Sequence, residues 1–152
     1  MRYRLLLCVG AGLLLAADAP DEAAKKDLDL MQGTWLCVDG EVGGRPLADA
    51  DKKKARVIIK GDHLSITGIP DAPAGSVAFR LNAAKTPKEL DLLPQQPAAK
   101  GKTGLAIYAV EENSLKLCLN VFTTDNAQGK ERPADFSAKG SISRVALVLK
   151  KK

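Results

Sequence analysis

Arg56-Val57-Ile58-Ile59-Lys60-Gly61-Asp62-His63-Leu64-Ser65-Ile66-Thr67 is the stretch on which the fold turns. Two aliphatic runs flank the dipeptide Gly61-Asp62, and a Gly-led two-residue loop suits the reversed-twist turn of a tight hairpin. One hairpin in the middle of the chain makes the antiparallel strand pair the unit to look for on either side. From Gln32 onward the prevailing period of apolar residues is two, the period of a strand with one buried face.

Upstream, Trp35-Leu36-Cys37-Val38 reads as the first strand. Downstream, Val77, Phe79 and Leu81 alternate with Ala78, Arg80 and Asn82. Leu90-Asp91-Leu92-Leu93 is a short strand between Pro87 and Pro94. Gly104 to Val110 and Leu115 to Leu119 follow, with Glu112-Asn113 at the turn between them. Val145, Leu147 and Leu149 alternate with Arg144, Ala146 and Val148 in a last strand. The one helical candidate is the charged stretch Leu47 to Ala55. Between Asn120 and Gly140 the pattern gives way to polar residues, Gly and Pro, with Phe136 as a plug. Eight short strands at such spacing predict an all-β fold, an eight-stranded antiparallel barrel or sandwich with at most one or two short helices. A closed barrel leaves no exposed edge, and eight strands enclose either packed side chains or one small ligand.

The chain has 152 residues and a formal net charge of +5, and 45% hydrophobic with 27% charged residues places it among ordinary globular proteins. Its first part has a different composition. Met1-Arg2-Tyr3-Arg4 is basic, Leu5 to Leu15 is uncharged, and Ala16-Ala17-Asp18-Ala19 is built of small residues. This is the layout of a secretory signal, and the apolar run is shorter than the ~20 residues a bilayer span requires. We therefore expect residues 1–17 to be a signal peptide and the protein to be exported, to the periplasm or beyond, with no transmembrane span in the mature chain. Residues 18–29 are expected to be a polar lead, either a short helix or a tether, 30–150 the barrel domain and 151–152 a basic tail. A cut after Ala17 leaves 135 residues with a net charge of +3. The lysine runs Lys52-Lys53-Lys54 and Lys150-Lys151-Lys152 read as solvated ends of elements; the sharper reading is contact with an acidic surface polymer or a lipid headgroup.

Gly33-Thr34-Trp35, opening the first strand after a polar lead, resembles the Gly-x-Trp start of lipocalin-type barrels. The resemblance implies a barrel floor made by Gly33, Trp35 and an arginine from the end of the barrel packing across the indole, for which Arg144 is the match. A longer ordered set carries it further: Leu30 to Trp35, Val57 to Gly61-Asp62, Pro87 to Leu92, Ile107-Tyr108, Leu115 to Cys118, Arg132-Pro133 with Phe136, and Arg144 to Lys150. Together these are similar to an uncharacterised lipocalin-like domain family of exported planctomycete proteins, over about Leu30 to Lys150. Ala106 and Glu112-Asn113 depart from its pattern, where glycine and a Gly-Asp turn are usual. The resemblance implies architecture and compartment, and it brings no activity with it.

The two cysteines left after signal removal, Cys37 and Cys118, invite a disulfide in an oxidising compartment. Strand parity opposes it. Cys37 shares the face of Trp35, whereas Cys118 alternates with Leu117 and Leu119, so the two Cβ vectors point to opposite sides of the sheet and two free thiols are expected.

No catalytic or metal-binding set is legible. His63 is the sole histidine, Ser65 lies on its side of the strand, and no Gly-x-Ser-x-Gly elbow is present. One His and two divergent Cys do not make a zinc site. Asp125 to Gly129 lacks the alternating acids of a calcium loop. Gly101-Lys102-Thr103 mimics the end of a phosphate loop but has Gln96 where the first glycine belongs, and a strand follows it. Asp91 reads as solvent-facing. Aromatic residues make up 4% of the chain and stand alone among aliphatics, which argues against a nucleic-acid platform. We expect no enzyme, no cofactor and no nucleic-acid partner. Two functions stay open. One is a binding barrel for a small apolar or amphipathic ligand lined by Trp35, Phe79, Leu117 and Leu147. The other is a cell-envelope structural or protein-interaction module with a filled interior.

Overall fold

A computed structural model describes residues 22–70, 75–95, 103–120 and 131–152. The signal segment 1–17, the start of the polar lead, Gly101-Lys102 and the stretch Asp125 to Gly129 lie outside the described residues.

The elements follow in the order α1 (Glu22–Met31), β1 (Gly33–Val42), β2 (Arg45–Pro46), α2 (Asp49–Lys54), β3 (Arg56–Lys60), β4 (His63–Thr67), β5 (Ser76–Asn82), β6 (Lys88–Leu93), β7 (Gly104–Val110), β8 (Ser114–Asn120) and β9 (Arg144–Lys151). Every strand pair is antiparallel, and the order β1-β3-β4-β5-β6-β7-β8-β9 closes on itself through β1 and β9. The result is an eight-stranded closed barrel, as the strand spacing predicts, with two short helices among the described residues. The short β2 adds a ladder to the end of β1, pairing Glu41 with Pro46 and Val42 with Arg45.

Within the ring, β1 lies between β3 and β9. Gly33 to Leu36 pair with β3, while the strand pairs with β9 from Trp35↔Lys151 to Val42↔Val145. The register shifts between Cys37 and Asp39, so Val38 is an extra residue, and it stands 51% exposed. A bulge of this kind sharpens local twist and lets one strand bend around the ring. At the central hairpin, Gly61 has φ 59°, the left-handed conformation that the tight turn demands and glycine adopts without strain.

Alternation delivers the inward set. Trp35, Val57, Ile59, Leu64, Ile66, Phe79, Leu90, Leu92, Ala106, Tyr108, Leu115, Leu117, Leu119, Val145, Leu147 and Leu149 form one continuous core. Burial of each large aliphatic or aromatic side chain is worth roughly 1.5–3 kcal/mol, so this set dominates stability. A second, smaller cluster lies on the outside of the sheet. Ile107, Cys118 and Ala146 project from β7, β8 and β9, and Ala138 and Phe136 of the segment before β9 cover them. Phe136 is thus a plug on the outer face.

The register also defines two ends. Trp35, the Gly61 turn, Lys88, Tyr108, Asn113 and Lys151 gather at the floor; Val42, Gly104, Asn120 and Arg144 gather at the rim. The polar lead is part of the domain. Its residues 22–29 belong to α1, which runs on to Met31 and lies against the floor with Met31 fully buried and Leu28 packed on the core. α2 carries Asp49 and Asp51 in its first turn and Lys52, Lys53 and Lys54 in its last, the arrangement its dipole favours. The expected basic tail is largely strand. β9 runs to Lys151, whose amide donates to the Asn113 carbonyl at 3.2 Å, and the Lys152 amide donates to Thr34 at 3.0 Å.

Candidate functional site

The floor is built by α1 and the strand ends beneath it. Trp35 Nε1 donates to the Met31 carbonyl at 2.7 Å, which satisfies the indole while its ring is fully buried. Gly33 has φ 115°, a value open to glycine that turns the chain from α1 into β1. The cation over the ring is Lys151, not Arg144. Lys151 Nζ stands 5.2 Å from the Trp35 ring centre and donates to the Leu30 carbonyl at 3.0 Å. Arg144 begins β9 at the opposite end of the same strand, opposite Asn120, and reaches the Ser137 carbonyl at 3.3 Å. The cause is register: Trp35 faces Lys151, so the start of β9 lies a full strand length away.

Beside Trp35, the floor holds a buried polar group that sequence reading did not find. Asp27, 6% exposed on α1, accepts from Lys88 Nζ at 2.7 Å and from the Tyr108 hydroxyl at 2.8 Å. Lys88 and Tyr108 are cross-strand partners on β6 and β7. A buried carboxylate is tolerated when paired and hydrogen-bonded in this way, and here it ties the helix to two strands. Gln32 adds a second tie, donating to Leu28 and Gly61 carbonyls and accepting from the Gly61 amide at 2.8 Å.

The four side chains expected to line a ligand cavity all face the barrel interior. Trp35, Phe79, Leu117 and Leu147 are 0%, 3%, 1% and 2% exposed. They pack with the other inward residues in one buried cluster, as core side chains do.

Outside the barrel, Arg132 clamps β6 to β7. Its Nη1 donates to the Ala106 carbonyl at 2.7 Å and the Leu90 carbonyl at 3.2 Å, Nη2 donates to Asp91 at 2.6 Å, and Nε lies 3.4 Å from Glu89. Asp91 is therefore held in an ion pair, not free in solvent. Alternation places it correctly on the outer face and says nothing of a distant arginine arriving there. Glu41 accepts from Ser137 Oγ at 3.2 Å and from the Ala138 amide at 2.8 Å, and Asn120 donates to the Glu131 carbonyl. Residues 131–143 are thus strapped along the outside of the ring.

Cys37 and Cys118 are both buried and unbridged. Cys37 belongs to the inner core and Cys118 to the outer cluster, on opposite sides of the sheet. Burial raises the Cys118 thiol to about 11, and burial, then Asp39, raises the Cys37 thiol. Neither is poised as a nucleophile. Among the described residues no three His, Cys, Asp or Glu side chains converge as metal ligands, and no helix is long and apolar enough to cross a membrane.

His63 Nδ1 bonds Asp62 at 2.7 Å on the surface. It borders an open groove of about 610 Å³ on the outer face, with Ile58, Lys60, Gly61, Ser65 and Ser76. Asp91, held by Arg132, is not among the residues that line this groove.

The geometry defines a closed antiparallel β-barrel with a helix-sealed floor and a strapped outer wall. No family model, curated protein or solved structure matches the chain.

Proposed function

We propose that this chain is an exported, non-enzymatic barrel module that acts through its outer surface while its interior serves as core. The observation that carries this reading is the closure around Trp35, Phe79, Leu117 and Leu147, each at most 3% exposed. A ligand touching these four would have to displace packed aliphatic neighbours, at a cost of about 1–3 kcal/mol for each overpacked site. The export half of the proposal rests on the basic, apolar and small-residue succession of residues 1–19. Kinship with the exported planctomycete lipocalin-like proteins rests on the ordered motifs between Leu30 and Lys150.

Native mass spectrometry of the purified protein tests the reading. The expected spectrum shows the bare polypeptide mass. A co-purifying lipid or pigment, released when Leu117 is replaced by Trp to crowd the interior, would restore the ligand-binding barrel in its place.

A further inference from the structure

The outward residues of three neighbouring strands form a face of one sign. β3 presents Arg56, Ile58 and Lys60, β4 presents His63, Ser65 and Thr67, and β5 presents Ser76, Ala78 and Arg80. None of these nine is acidic. Two carboxylates beside this face are engaged: Asp62 holds His63 Nδ1 at 2.7 Å, and Asp91, across from Arg80, is bound by Arg132 at 2.6 Å. Among the described residues, Arg56, Lys60 and Arg80 have no ion-pair partner.

This face is also concave. The groove of about 610 Å³ runs over β3, β4 and β5 and is lined by Ile58, Lys60, Gly61, His63, Ser65 and Ser76. Register orders the groups within it. Lys60 stands opposite His63, Ile58 opposite Ser65, and Ser65 opposite Ser76. Arg56 and Lys60 lie four residues apart on one strand, about 13 Å at the usual strand rise. Lys60 and His63, the Ser65 and Ser76 hydroxyls and an apolar side chain, Ile58, at 41% exposure line the groove, and half-buried Arg56, whose Nη1 donates to the Ala55 carbonyl at 2.7 Å, extends the row along β3 beyond that lining.

We propose that this groove binds an acidic polysaccharide, a sugar chain carrying carboxylate or sulfate groups. Lys60 and Arg56 pair with successive anionic groups, Ser65 and Ser76 exchange hydrogen bonds with sugar hydroxyls, and Ile58 meets an apolar sugar face. Nucleic acid fits less well because no Phe, Tyr or Trp side chain lines the groove for base stacking. A bilayer fits less well because the surface is hollow and Ile58 is its one exposed large apolar side chain. The inference rests on the reading that the barrel acts through its outer surface, and it names the partner for that surface.

The test is binding of the purified protein to immobilised polygalacturonate, with neutral dextran and phosphatidylglycerol vesicles alongside. Binding to polygalacturonate alone is expected. It should fall at least about tenfold in the Arg56→Gln/Lys60→Gln variant and vanish near ~0.5 M salt, where screening acts over only about 4 Å. The control is Lys116→Gln, an outward lysine on β8 across the ring, which removes the same sign of charge and should leave binding within about twofold of the parent. Equal loss in the control, binding to vesicles but not to polygalacturonate, or no binding at all would each overturn the proposal. An empty barrel by native mass spectrometry with no polysaccharide binding would sink this inference alone; a lipid-filled barrel would sink the reading beneath it.

Discussion

The Tyr108 hydroxyl donates to the Asp27 carboxylate at 2.8 Å across 81 residues of sequence, joining the first helix to β7 at the barrel floor. With Lys88 on the same oxygen, one carboxylate holds α1 on the barrel floor. Tyr108→Phe keeps the ring and its packing but removes one charge-assisted hydrogen bond, and should cost about 1.5–3 kcal/mol in chemical denaturation. Asp27→Ala should cost more, about 3 kcal/mol, with Lys88 moderating the loss because its side chain is 38% exposed and re-solvates. If Asp27→Ala were neutral, the helix would be resting on the floor through Leu28 and Met31 alone.

Lys151 and Arg144 separate cleanly in a fluorescence experiment, because Trp35 is the sole tryptophan. Lys151→Ala removes the cation 5.2 Å from the indole ring and the bond to Leu30. Its emission should shift and its stability fall by about 1–2 kcal/mol. Arg144→Ala acts at the rim and should leave Trp35 emission unchanged. A shift in Arg144→Ala with none in Lys151→Ala would contradict the register of β1 on β9.

The thiols give a pH signature. Both are acids whose folded-state pKa is raised by burial, Cys118 to about 11. On raising the pH past the ordinary thiol value, the unfolded chain loses these protons first, so stability is full below about pH 9 and declines toward pH 11. Comparing urea midpoints of the parent and Cys118→Ala across that range should show a shallower decline in the variant. At pH 8 a thiol reagent should label neither cysteine in the native protein and both in denaturant. Reductant should leave stability unchanged, since no disulfide links Cys37 to Cys118.

Arg132 reaches two strand carbonyls and two carboxylates at once, and a lysine cannot reproduce that fork. Arg132→Lys should loosen the strap, seen as faster amide exchange and protease cleavage within 131–143, while the Trp35 environment stays native. A double-mutant cycle with Asp91→Asn should give a coupling of about 0.5–1 kcal/mol, the range for a partly exposed pair. Zero coupling would mean that the two backbone bonds alone hold the strap.

The barrel strands and α2 were legible because a half-buried strand writes its alternation directly into sequence, and the Gly61-Asp62 turn fixes how two of those strands meet. What escaped was carried by single polar residues. α1 offers only Leu28 and Met31 as large packing side chains, so its apolar stripe is too thin to mark a core helix, and its anchor is the acid Asp27. Lys151, in a run of three lysines, reads as solvated until β9 brings it over an indole. Arg132 and Asp91 are 41 residues apart, and periodicity carries no information about such a pair. The candidate ligand lining marks a different limit. Inward-facing apolar residues look alike in sequence whether they wall a cavity or fill one.

The pairing of β1 with β9 has a consequence for how the molecule comes into being. The ring's first and last members are joined, so its seam needs residues 144–151, and any shorter length of chain is an open, twisted sheet with two unsatisfied borders. The ring therefore cannot shut before the β9 residues are at hand to meet β1.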